Sequence, residues 1–285
     1  MARAVILDFD GSVSPLDGAQ VVPLRHREEA VRFACRMRVL RELAPLVDAP
    51  PGVVFMGSGD FHHVSYVLIE RLRRLATTIQ VVVFDNHPDN MRYPFGIHCG
   101  SWVWHVSRLP FVARVHVAGI SSSDVEGLHA WENHLAPLRR GVVNYWCVQR
   151  NPRLLRRFGA RAFDSAEAML SALHATVEST PEPIYLSIDK DVLSLQDART
   201  NWDQGVMRVH ELENGVTMLR ERVIAADVVG DVSAYRYRSR FKRFLSRLDG
   251  QPEIPGHALG QWRAQHARIN ERLLSLFDDH FSLDR

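Results

Sequence analysis

The stretch Val81-Val82-Val83-Phe84-Asp85-Asn86-His87-Pro88-Asp89 decides how the rest of this 285-residue chain is read. Three valines and a phenylalanine in a row predict a strand buried on both faces, as inside a parallel sheet. The apolar run then gives way to Asp-x-His-x-Asp. Alternate residues of extended backbone point the same way, so Asp85, His87 and Asp89 can converge. They do so at the carboxyl edge of the sheet, where open α/β sheets place their sites. Two carboxylates and an imidazole there suit a divalent metal. Standing alone, the stretch reads equally well as a polar turn after a strand.

Two further stretches repeat the design. Ile184-Tyr185-Leu186-Ser187-Ile188-Asp189-Lys190-Asp191 is an apolar strand ending in carboxylates two residues apart. Val53 to Gly57 is a strand leading through Ser58-Gly59-Asp60-Phe61 to the paired imidazoles His62 and His63. If the three strand ends are neighbours, four carboxylates crowd one pocket. Two like charges about 4 Å apart repel by roughly 4 kcal/mol at an effective dielectric near 20. Bound cations are the simplest compensation, and this many ligands can hold two.

Composition bounds the answer. A hydrophobic content of 46% with 24% charged residues is that of an ordinary globular protein. The formal charge of +2 gives no bulk attraction to nucleic acid or membranes. Cys35, Cys99 and Cys147 are odd in number and widely spaced, which argues for a reducing compartment. An acid at Asp8 comes too early for a signal peptide, and no apolar run reaches the roughly 20 residues of a membrane span. The expectation is a cytoplasmic enzyme, one domain over residues 1–285, with no nucleic-acid or membrane partner and homo-oligomerisation left open.

Along the chain, strands are expected at Ala4–Phe9, Val53–Gly57, Ile79–Asp85, Val115–Ile120, Val142–Val148, Ile184–Ile188 and Val223–Val229. Helices are expected at Arg25–Leu46, stopped by Ala49-Pro50-Pro51-Gly52, and at Val64–Leu75, Ala168–Thr176, Val209–Leu219 and Gln261–Phe277. Asn90–Gly100 reads as a loop walling the site, with His98 the best candidate for a proton shuttle. Trp102, Trp104 and His105 read as core filling at the start of a helix. The alternation predicts a three-layer α/β/α fold with a mainly parallel central sheet. The basic run from Arg236 to Arg247 reads as a solvated helix face.

One stretch points elsewhere. Asp8-Phe9-Asp10-Gly11-Ser12 after a strand is similar to the nucleophile motif of haloacid-dehalogenase-like phosphatases, with Asp8 attacking phosphorus and Asp10 as the acid. That reading leaves both Asp-x-His/Lys-x-Asp strand ends unused. An Asp-Gly turn explains the motif more simply.

Taken together, four ordered motifs resemble the arginase/agmatinase (ureohydrolase) family. They are Gly59-Asp60-Phe61-His62, Asp85-Asn86-His87-Pro88-Asp89, His98-Cys99-Gly100 and Ser187-Ile188-Asp189-Lys190-Asp191. The resemblance implies two Mn²⁺ ions, one held by His62, Asp85, Asp89 and Asp189. The other would be held by His87, Asp85, Asp189 and Asp191, so that Asp85 and Asp189 bridge. The inserted Phe61 leaves His63 as the alternative to His62. The resemblance further implies hydrolysis of a guanidino C–N bond to urea and an amine, with His98 and Asp89 catalytic. A deacetylase-like amidohydrolase with one Zn²⁺ is the sister reading. This chain departs from the family pattern after Asp191 and at Gly230, where a glutamate is usual. Asp203, Asp231 and Asn201 are the candidates for contacting substrate, and the rewritten surroundings speak against assuming free arginine, leaving open a guanidino group on a larger molecule such as a peptidyl arginine, or a formimino or amide group.

Overall fold

The computed structural model describes residues 4–47, 52–252 and 254–277. Its strands are β1 (Ala4–Asp8), β2 (Gln20–Pro23), β3 (Ala34–Cys35), β4 (Val53–Phe55), β5 (Ile79–Phe84), β6 (Ile97–His98), β7 (Val112–Ile120), β8 (Val143–Val148), β9 (Arg161–Phe163), β10 (Ile184–Asp189) and β11 (Val223–Val229). Nine of them form one sheet in the order β2-β1-β4-β11-β10-β5-β7-β8-β9, and every neighbouring pair is parallel. The short pair β3 and β6 runs antiparallel outside it.

The valine run is a central strand for the reason its composition implies. Val81 and Val83 pack into the core on one face of the sheet, Val82 and Phe84 into the core on the other. Helix Ser65–Arg71 and helix Trp102–Val106 cover the first face. Helices Ala166–Glu178, Val209–Leu219 and Gly256–Ser275 cover the second. The expected α/β/α layering is therefore present. Ser165 caps its helix by accepting the Ala168 N–H at 3.2 Å.

Two expectations fail. Arg25–Leu46 is not one helix but a 3₁₀ turn (Arg25–Arg27), a helix at Glu28–Val31, β3, and a helix at Met37–Arg41. The break has a cause. Arg32 leaves the helical path to reach Asp10 at 2.8 Å and Asp60, and Phe33 turns with φ +71 so that β3 can pair with β6. An ion pair made 28 residues away in sequence outweighs local periodicity. The Asn90–Gly100 loop likewise carries β6, which anchors His98 opposite Ala34. Strands β2 and β9, short and lying at the two sheet edges, were not expected. The proline stop at 49–51 lies outside the described residues.

Candidate metal centre

The parallel order places the ends of β4, β11, β10 and β5 side by side. Phe84 pairs with Ile188, so Asp85 and Asp189 are the next residues along two adjacent strands. His62 and His63 sit on the 3₁₀ helix Gly59–Val64 just past β4. The close approach demands glycine at Gly59, where a Cβ would lie 2.8 Å from Asp189 Oδ2.

The geometry separates the two histidines. His62 Nδ1 lies 3.2 Å from Asp85 Oδ2, 3.0 Å from Asp89 Oδ2 and 3.5 Å from Asp189 Oδ2. Its Nε2 is 2.9 Å from Ser187 Oγ, which in turn donates to Asp227 Oδ1 at 2.7 Å. His63 is buried, lies outside this cluster and is held neutral by burial, with the nearby charge of Lys242 adding to the effect. His87 Nδ1 faces Asp191 Oδ2 at 2.9 Å and Asp85 Oδ1 at 3.5 Å, and its Nε2 meets Asp203 Oδ1 at 2.7 Å.

Two ligand groups result, each with donor atoms within 4.8 Å of one another: His62, Asp85 and Asp189, and Asp85, His87 and Asp191. Asp85 is common to both. Asp189 belongs to the first group and Asp191 to the second. Asp85 Oδ2 is buried and accepts no hydrogen bond, an orphaned carboxylate oxygen where a cation fits. A mixed imidazole and carboxylate set is donor chemistry for a borderline or hard divalent cation.

Without a cation the charges distort one another. Burial, with the neighbouring Asp85 charge, pushes Asp89 up to about 7. Burial also drives Asp189 up to about 6. Asp191 is raised well above the usual carboxylate range by burial and by Asp189 and Asp85. Burial opposes the charge on His62, but the carboxylates of Asp85 and Asp89 beside Nδ1 overcome that and raise it. His87 is raised in the same way by Asp191. Asp85 resists burial and stays below the ordinary range because both imidazoles hold it ionised.

These residues floor a cavity of about 720 Å³ walled by His98, Trp202 and Asp203. His98 is buried, and its Nδ1 accepts the Gly100 N–H at 2.8 Å. That assigns the ring proton to Nε2, which faces Asp249 Oδ2 at 3.5 Å.

Of the three residues expected to contact substrate, only Asp203 lines this cavity, where it is engaged by His87. Asp231 is buried behind the floor, paired with Lys190 Nζ at 2.8 Å and hydrogen-bonded by Asn270. Asn201 is a strut, donating to the Ser233 carbonyl and accepting the Ser233 N–H. Asp8 and Asp10 do not line the cavity either: Asp8 pairs with Arg25, Asp10 with Arg32 and Ser12.

Three supporting residues escaped the sequence reading. Trp102 fills core as expected but also donates its indole N–H to Asp89 Oδ2 at 2.6 Å. Asp227 holds Ser187 and Tyr185 behind His62. An aspartate inside the apolar run Val223–Val229 was the available signal for it. Asp249 carries no signal of its own.

The comparisons agree with this geometry. The model of the Arginase family matches residues 9–237. An uncharacterized protein of Thermotoga maritima is 26% identical over 230 residues, covering 79% of this chain and 78% of that one. Among solved structures, formimidoylglutamase of Bacillus subtilis superposes with a TM-score of 0.60 at 13% identity, covering 96% of this chain and 86% of its own. Arginase of Bacillus cereus does so with a TM-score of 0.57 at 14% identity, covering 95% and 98%. The four ordered motifs, the parallel sheet and the extent of the family match lead to one conclusion: this chain belongs to the arginase family.

Proposed function

We propose that this protein is a binuclear, manganese-dependent hydrolase that cleaves a C–N bond of an arginine-like guanidino compound, free or peptide-linked, releasing urea and an amine. The observation that carries the reading is the pair of ligand groups sharing Asp85 at the floor of one cavity. His62, Asp85, Asp89 and Asp189 would hold one ion, and His87, Asp191 and the shared carboxylates the other. Two divalent ions so placed supply Lewis-acid polarisation and a water of lowered pKa.

The chain's own residues do the rest. Ser187, backed by Asp227, fixes the ring orientation of His62, as outer partners of metal-binding imidazoles do. The Trp102 indole holds Asp89 in place. His98, with Gly100 occupying Nδ1, presents Nε2–H to the cavity and hydrogen-bonds the departing nitrogen there, while the proton that nitrogen takes up comes from the attacking water. The planar carbon gains the oxygen of water as its bond to the amine breaks.

No helix among the described residues is long and apolar enough to cross a membrane. The test is urea release by Mn²⁺-reconstituted protein across free and peptide-linked guanidino compounds, with amide and formimino compounds alongside. Protein that binds two ions per chain yet releases urea from none of them would overturn the proposal.

A further inference from the structure

The last strand brings no carboxylate to the cavity. Gly230, with φ +90, closes directly on Asp189, where a Cβ would sit 2.5 Å from Oδ1, and Asp231 is spent on Lys190. A carboxylate arrives from another direction. Helix Arg240–Leu248 and the turn Asp249-Gly250 roof the cavity, and this segment lies beyond residue 237, where the family match ends.

The roof is fastened on both sides of Asp249. Ahead of it, Lys242 Nζ donates to the carbonyls of Glu29 and Arg32 at 2.7 and 2.8 Å. Behind it, Gln251 Nε2 donates to Asp60 Oδ1 at 2.7 Å, two residues from His62. Gly250 makes the turn between them with φ +70.

The other carboxylates around the cavity, outside the two ligand groups and Asp89, are engaged. Asp203 meets His87, Glu132 meets His129 at 3.0 Å, and Asp124 accepts from Ser122 at 3.1 Å. Among the described residues no hydrogen bond reaches the Asp249 carboxylate, which stops 3.5 Å from His98 Nε2. Among the described residues no lysine or arginine lines the cavity to receive a substrate carboxylate.

We infer that Asp249 is a specificity-determining residue. It pairs with a positive group, an ammonium or a second guanidinium, at the non-reacting end of the substrate. This rests on the hydrolase reading above for its substrate but not for its binding test. A fixed carboxylate attracts such a group and repels a carboxylate in its place.

The experiment compares a guanidinoalkylamine with the guanidinoalkanoate of equal chain length on Mn²⁺-loaded protein. The amine is expected to be favoured on the order of 100-fold in kcat/KM. D249N should raise KM for the amine about 10-fold with metal content unchanged, D249E should retain the preference, and D249K should reverse it. Calorimetry with a straight-chain diamine reads the same contact without turnover, and D249N should weaken that binding about 10-fold. Diamine binding that depends on Asp249 in a protein that hydrolyses nothing would end the hydrolase reading and leave this inference standing. A wild-type preference for the alkanoate, or diamine binding indifferent to D249N, would overturn it.

Discussion

The floor of the cavity and its roof reach similar precision by different means. The floor consists of residues at the ends of adjacent parallel strands, fully enclosed, with Asp85 and Asp189 set by the register of β5 against β10. Its geometry comes with the sheet. The roof is a short helix and turn that leaves Phe241, Phe244 and Leu248 exposed, and a few polar contacts from Lys242, Tyr237 and Gln251 hold it. Arg32 and Asp60 join the two. Arg32 lies between Asp10, Asp60 and Ser233, with the rings of Phe61 and Tyr235 on its guanidinium, and Asp60 also receives Gln251 from the roof. A site that keeps its floor while exchanging its roof can keep its chemistry and change its substrate.

Breaking the floor should cost most. Asp85→Ala removes the ligand common to both groups, so metal analysis should find more than one ion lost per chain. Losing the several kcal/mol that such ions supply lowers turnover on the order of 1,000-fold. Unchanged stoichiometry would contradict the sharing.

Next comes the joint. Arg32→Leu strands Asp10 and Asp60 as buried charges, and breaking a buried pair in this way costs roughly 3–5 kcal/mol of stability. Chemical denaturation measures it, and a loss under about 1 kcal/mol would show that the joint is dispensable. His98→Ala, on the wall between floor and roof, should reduce kcat by about 100-fold or more while both ions stay bound. Metal loss would instead make His98 a ligand.

Acidity sharpens the comparison further. In the metal-free protein Asp89 and Asp189 are raised to about 7 and about 6, against about 3.9 unfolded. A raised carboxylate contributes stability that is complete below the unfolded pKa and disappears as pH climbs through the folded one. The raised imidazoles His62 and His87 act in the same sense above about pH 6.5. Asp85, held down, acts oppositely, but its contribution is already complete above about pH 4. Metal-free protein should therefore lose thermal stability between about pH 4 and 7, and loading with Mn²⁺ should abolish that loss. Parallel melting curves for the two forms would show that the carboxylates do not crowd as described.

The roof fastening should show the smallest effect. Gln251→Ala removes one hydrogen bond and should cost about 1 kcal/mol, read as increased proteolytic cleavage near Gly250 with metal content unaltered. Equal protection in both proteins would show that Gln251 does not hold the roof.

Much of the floor was legible beforehand because its signals are local. An apolar run ending in alternating polar residues announces both a buried strand and the direction of its last side chains, and two such runs announced Asp85, His87, Asp189 and Asp191. The misread segment at 25–46 shows the limit. Its apolar spacing is helical, and Leu40 and Leu43 are buried as that spacing requires, yet Arg32 and Phe33 break the helix to satisfy Asp10, Asp60 and β6. Asp231 and Asn201 were read as facing substrate because they follow strand ends. They point instead into ion pairs and turns that no local pattern encodes.

Residue order alone pointed to a parallel sheet and put carboxylates and imidazoles at the carboxyl ends of its strands, because burial on both faces and two-residue alternation are properties of each strand by itself; that those ends are neighbours came from the strand order. Tertiary structure decided which of His62 and His63 faces the acids, that Asp231 lies behind the floor, and that Asp249 closes the cavity above. Each of those outcomes depends on partners brought together from distant positions, whose charges and hydrogen bonds are settled only when the chain has folded.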